Sequence, residues 1–282
     1  MTFSIVARGE DGCSFGVAVA SKFLAVGSVV PAARAGIGAV ATQATANLTY
    51  REAGLELLQS GVNADQVVGT LTSGDLGKVS RQLGVVAPTG AGATYTGSGC
   101  SPWAGGRSGE GYALQGNILE SEAVVASMES AWLNREPETP LSRSLLGALD
   151  AGDRAGGDRR GRQSAALLVV SPGAGYGGRS DVQVDLRVDD HPHPLEELER
   201  LLELHNLYFG KTPREQLLPF SDELAGEVRR LLAERGHPPA GGSAAQLQAA
   251  LRDWAGVENL EERLVEGAAL DPVVLKALRA SH

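Results

Sequence analysis

A threonine stands directly behind the first methionine, in MTFSIVARG, and its side chain and position together suggest chemistry. A threonine hydroxyl is a poor nucleophile until a base takes its proton, and a free α-amine on the same residue can be that base. Such an amine has a reference pKa of about 7.7–8.0, so a useful fraction is neutral near pH 7. Removal of Met1, favoured by a small second residue, would expose Thr2 in that form. The plainer reading makes Thr2 a strand residue of high β propensity. Further along, GGDRRGRQS offers a charged group. Arg160 or Arg162 could clamp a carboxylate, because a guanidinium binds one bidentately, and Asp158 would hold such an arginine in place. A flexible charged loop, or Asp–Arg pairs that merely fix it, is the alternative. In DDHPHP, Asp189, His191 and His193 would share one face if extended, and they are metal-ligand types. Both histidines precede prolines at a strand-to-helix joint, so a turn is expected there, with no metal and no cofactor.

These groups need elements to carry them. Phe3, Ile5 and Ala7 alternate with Ser4, Val6 and Arg8, which is strand-like from the second residue onward. The turn signal GEDG joins this strand to SFGVAVA, which ends in the polar pair Ser21-Lys22. A third apolar run, IGAVATQ, leads through Gln43 to Asn47 and a helix from about Tyr50 to Ser60, and Asn63 opens a second helix. RQLGVVAPTGAGATYTG predicts a hairpin across Pro88-Thr89-Gly90. A glycine-rich stretch carries Gln115-Gly116-Asn117 at the end of an apparent strand, before helices at Ser121–Leu133 and Leu141–Leu149. SAALLVVS and DVQVDLRV are strands, and Pro194 to Asn206 is an amphipathic helix. Strands, paired helices, then strands describe an α+β domain over 1–210. GKTPREQLLP holds the expected linker at 211–217, and 218–282 is an acidic, small all-α domain.

Composition narrows the function classes. The 282 residues are 21% charged and 43% apolar, as in an ordinary globular protein, but glycine, at 37, is about twice as common as usual. The net charge of −9 argues against nucleic acid, which needs clustered Lys and Arg. Residues 1–120 hold 7 Lys/Arg and 8 Asp/Glu, so the excess of acid lies in the rest. Cys13 and Cys100 are too few for a disulfide framework. No apolar run approaches a membrane span and no signal-peptide pattern is present, so a cytoplasmic protein with no membrane partner is expected.

MTFSIVARG, GVAVASKFLAVGSVVP, GIGAVATQA, GEGYALQGNIL, AGGDRRGRQSAAL and DLRVDDH, in that order, resemble the DUF1028 family. The resemblance spans Thr2 to Phe209. RRLLAERGHPPAG, ALRDWAGVENLEERL and LDPVVLKALR are similar to a peptidoglycan-binding-like module that some members carry. The family's place in the Ntn-hydrolase superfamily implies an αββα sandwich and an amidohydrolase acting through Thr2 on a small amide or peptide-like substrate. That logic asks for a cation near the nucleophile, and Lys22, directly after the second strand, is the first candidate, with Ser21 beside it. Arg34, before the third strand, is the second. Asn117 is the candidate oxyanion donor, and Gln43, Asn47 and Gln115 would form a wall of amides suited to an amide substrate. The competing classes are a silent scaffold that keeps Met1 and an envelope-associated binding protein. The helical part could pack on the main domain or mediate homodimerisation.

Overall fold

The computed structural model describes residues 2–265, 267 and 269–280. The chain forms two compact units, Met1–Leu201 and Leu202–His282. Met1 itself lies outside the described residues.

The first unit is built on two antiparallel sheets. β1 (Thr2–Arg8) and β2 (Phe15–Ser21) form the expected hairpin. β3 (Pro31–Arg34), β4 (Gly38–Ala44), β5 (Arg81–Val86) and β6 (Ala93–Thr96) make a four-stranded sheet in that order. β7 (Gly105–Gly109), β8 (Tyr112–Asn117), β9 (Ser164–Val170) and β10 (Val182–Val188) complete a six-stranded sheet ordered β10-β9-β2-β1-β8-β7. Strand β1 is therefore interior, paired on both edges, and its first residue is held by the ladder opposite Asn117. β3 and β7 lie outside the strands expected from the sequence. Neither has a period-2 pattern, β7 being GGRSG, and each takes its extended form from the ladder beside it.

Helices α1 (Thr49–Gln59) and α2 (Ala64–Ser73) pack on the four-stranded sheet, while α3 (Ala123–Leu133) and α4 (Leu141–Arg154) pack on the six-stranded one. The Asn63 side chain caps α2 by accepting from the Gln66 backbone N–H. Tyr50, Leu55, Leu58 and Val67 join Val40, Leu83 and Val85 in one core. Val6, Phe15, Val17, Val19, Ala39, Ala41 and Val86 form another, across the faces of the two sheets. Helix α5 (Pro194–Phe209) runs over the division of the chain.

The space between the sheets changes character along the strands. Its residues are apolar around Val6, Ala39 and Ala41, then polar at Ser4, Gln43, Gln82 and Gln115, all fully buried or nearly so. Gln115 fits because β5 has no side chain at Gly84. A Cβ there would stand 2.1 Å from the Gln115 carboxamide oxygen. Gln115 cannot swing aside cheaply, since its Nε2 donates to the Ser4 hydroxyl at 2.6 Å. We expect Gly84→Ala to cost about 1–3 kcal/mol through overpacking. Thermal melting should show a fall of several degrees, and an unchanged melting temperature would contradict this packing.

The second unit contains α6 (Asp222–Glu234), α7 (Ala244–Val257) and α8 (Pro272–Arg279), around Val228, Leu232, Leu247, Leu251, Trp254 and Val274. Ser221, Ser243 and Asp271 cap the three helices. The expectation of an all-α module needs correction, because β11 (Leu218–Pro219) pairs with β12 (Ala269–Leu270). The stretch expected to be a linker is also bonded into this unit. Thr212 donates its hydroxyl proton to Asp271 at 2.8 Å, and the buried Arg263–Asp271 pair beside it needs such partners.

Candidate active site

Thr2 is 6% exposed, and its hydroxyl lies 3.1 Å from that of Ser21, the last residue of β2. The Thr2 carbonyl accepts from the Gln43 amide at 3.2 Å and from the Asn117 amide at 3.5 Å. Strand pairing and two buried amides thus hold the main chain of Thr2. Thr2 lines a cleft of about 170 Å³ together with Phe23, Val26, Val29, Val30, Ala44, Ala46, Gln43 and Arg160.

Behind Thr2 the amides bond to one another. Gln43 accepts the Ser4 hydroxyl proton at 2.7 Å and donates to Gln82 at 2.8 Å and to the Gln115 carbonyl at 3.3 Å. Gln82 donates in turn to Thr96 and to the Gly116 carbonyl, and its oxygen also accepts from Asn117 at 3.0 Å. In a low-dielectric interior, a satisfied network of this kind rigidifies its surroundings and is costly to break. Gln43 and Asn117 therefore hold Thr2, and Gln115 holds its neighbour Ser4. Asn117, expected to donate to an oxyanion, has its amide donors turned to Gln82 and Thr2. Gln82 escaped the sequence reading. Its signal was a lone amide inside RQLGVV, on the same face of the strand as Gly84.

The expected cation candidates lie elsewhere. Lys22 is exposed, and its ammonium donates to the Arg162 carbonyl at 3.2 Å, because its backbone N–H is drawn to Asp158 at 2.7 Å. Arg34 bonds Glu52 and Gln59 of α1 at 2.5 Å each. It pairs with Gly38, five residues up β4 from Gln43, about 17 Å away at the usual strand rise. Arg162 is held by both oxygens of Asp153 at 2.8 and 2.9 Å. Asn47 belongs to a separate clasp, in which its amide, the Tyr50 hydroxyl and Arg81 all donate to Asp75. Arg81 foremost, with Tyr50, holds the Asp75 carboxyl well below the usual range, while burial and Asp75 push the Tyr50 hydroxyl up to about 12.

Arg160 is the charged residue among the described ones lining the cleft. Asp158, with a side chain 2% exposed, accepts from the Arg160 backbone N–H at 2.9 Å and from its guanidinium at 3.3 Å. Backbone strain gathers near the same place. Ala44 lines the cleft at φ 64°, Ile118 follows Asn117 at φ 52°, and Ala25 precedes Val26 at φ 53°. Side chains rarely adopt this left-handed region, and such residues persist where the surroundings over-determine them. The DDHPHP segment forms a turn in which the His191 ring nitrogen accepts from the His193 backbone N–H. No group of three metal-binding side chains occurs among the described residues.

A family model described as a family of unknown function, DUF1028, matches residues 2–198. The chain belongs to the DUF1028 family. A second model, for a peptidoglycan binding domain, matches residues 208–278. The crystal structure of a DUF1028 protein from Silicibacter pomeroyi is similar to this chain at 31% identity and a TM-score of 0.65, covering 73% of this chain and 89% of that one. Anbu (ancestral beta-subunit) from Yersinia bercovieri covers 72% and 96% at 14% identity, with a TM-score of 0.35, below the level of a shared fold. No curated protein matches the sequence. In this DUF1028 chain, no helix of the described residues is long and apolar enough to cross a membrane.

Proposed function

We propose that the first unit is an αββα sandwich of the Ntn-hydrolase type and hydrolyses a small amide through Thr2. One observation carries this reading. Thr2 lines a cleft while buried amides of β4 and β8 clamp its own carbonyl. A nucleophile held on one side and offered on the other is preorganised for attack. Once Met1 is removed, the α-amine takes the hydroxyl proton as Oγ1 bonds to the substrate carbonyl carbon. The C–N bond then breaks, and the departing amine carries that proton away. Water cleaves the resulting ester, releasing the acid and restoring Thr2. Ser21, 3.1 Å from Oγ1, orients the hydroxyl, and Arg160 supplies the positive charge of the cleft.

The test pairs N-terminal mass spectrometry with a panel of small amides. We expect the active protein to begin at Thr2. Hydrolysis at full rate by protein that keeps Met1 would overturn the mechanism. A protein that keeps Met1 and hydrolyses nothing would be the silent scaffold. A second expectation follows from where Lys22 points. Lys22→Met should change turnover by less than about threefold, because the substitution keeps much of the stem and removes a charge that sits on a surface carbonyl. A loss of orders of magnitude in steady-state kinetics would return Lys22 to the nucleophile.

A further inference from the structure

We infer that the Thr2 cleft recognises a monoanionic carboxylate joined to a compact apolar group, with Arg160 as the carboxylate receptor. This rests on the proposed function for the bond that is cleaved, and it adds the substrate class.

The lining of the cleft carries the inference. Six of its walls are apolar: Phe23, Val26, Val29, Val30, Ala44 and Ala46. Its volume of about 170 Å³ is close to that of an apolar cavity that holds benzene, roughly 150 Å³. An aliphatic or aromatic group of about six carbon atoms fits such a space. The charge in this lining comes from Arg160, and no acidic side chain is among the described residues that form it. An anionic end is thus favoured and a cationic one is not.

Arg160 is also held ready. Asp158 binds both its backbone N–H and its guanidinium, and is itself tied down by the Lys22 backbone N–H. Fixing a planar donor fork in advance lowers the entropy lost on binding. Asp158 also narrows the choice of anion. Its carboxylate oxygen, 3.3 Å from the guanidinium, would repel a phosphate dianion more than a monoanion. The neighbouring Lys22 and Arg162 are already engaged with a carbonyl and with Asp153, so no basic cluster of the phosphate-binding kind forms here.

The experiment measures binding and so does not depend on turnover. The full chain is titrated calorimetrically with 4-methylpentanoate and with its neutral, non-hydrolysable analogue 4-methylpentan-1-ol, as wild type, Arg160→Gln and Arg160→Lys. Melting curves establish that each variant is folded. The wild type should bind the carboxylate at least tenfold more tightly than the alcohol. Arg160→Gln should lose that preference and keep its affinity for the alcohol, and Arg160→Lys should keep part of the preference, since the charge remains without the fork. Equal affinities in the wild type, or a preference that survives Arg160→Gln, overturn the inference. The two readings separate cleanly. Hydrolysis without a carboxylate preference overturns the inference alone, whereas a preference without hydrolysis supports it and overturns the role of Thr2.

Discussion

Thr2→Ala is expected to abolish the proposed amide hydrolysis and to leave the first unit folded. Alanine is small enough for Met1 still to be removed, so the α-amine remains and only the nucleophile is lost. Removing a nucleophile of this kind costs on the order of 10⁴–10⁶-fold in turnover. The fold loses the hydrogen bond to Ser21, about 1 kcal/mol, while the carbonyl of residue 2 keeps its bonds to Gln43 and Asn117. Thr2→Ser should retain measurable activity, as it keeps a hydroxyl on the same carbon. The assay compares turnover of the three proteins on any amide found in the panel, with melting curves beside it. Residual turnover in Thr2→Ala within tenfold of wild type would place the nucleophile elsewhere.

Arg263→Met is expected to unfold or severely loosen the second unit. The Arg263 and Asp271 side chains are 7% and 2% exposed and bond at 3.0 Å. Arg263 also donates to the carbonyls of Asn206 and Leu207 near the end of α5. Asp271 accepts from Thr212 and from the Val273 backbone N–H that opens α8. One ion pair thus closes the C-terminal end of one helix and the N-terminal end of another, where each charge suits the helix dipole. Losing the arginine strands a buried carboxylate and two carbonyls, at about 3–5 kcal/mol. In a unit of this size that is a large share of the total stability. Fluorescence of the buried Trp254 should report it as a lower melting midpoint. Adding Asp271→Asn should recover part of the loss, since the amide still caps α8 but carries no charge. A single variant that melts like wild type would show that the pair contributes little.

Local signals made much of the framework readable. Alternation in β1 and the short apolar runs of β2 and β4 were enough, because nearly every residue of these strands is buried. Asn63 marked a helix start because an N-cap is chemistry between near neighbours in the chain. β3 and β7 could not be read this way, since alanines, prolines and glycines extend only when a partner strand satisfies their backbone. The β11–β12 pair is two residues long on each side and joins segments about 50 residues apart, so no local pattern announces it.

At the candidate site the same division holds. Residue type and position in the strand marked Thr2, Ser21, Gln43 and Asn117 as polar groups at the ends of apolar runs, and that much belongs to the sequence. Where each group points was decided across long separations. Gln43 meets Gln82 and Gln115 over 39 and 72 residues, and Lys22 is turned by Asp158 from 136 residues away. A side-chain amide or ammonium has several directions of comparable energy in an isolated strand. Burial selects among them, because an unbonded polar group between two sheets costs several times what a formed hydrogen bond contributes. That selection exists only once both sheets are assembled, and it left Arg160, rather than Lys22, beside Thr2.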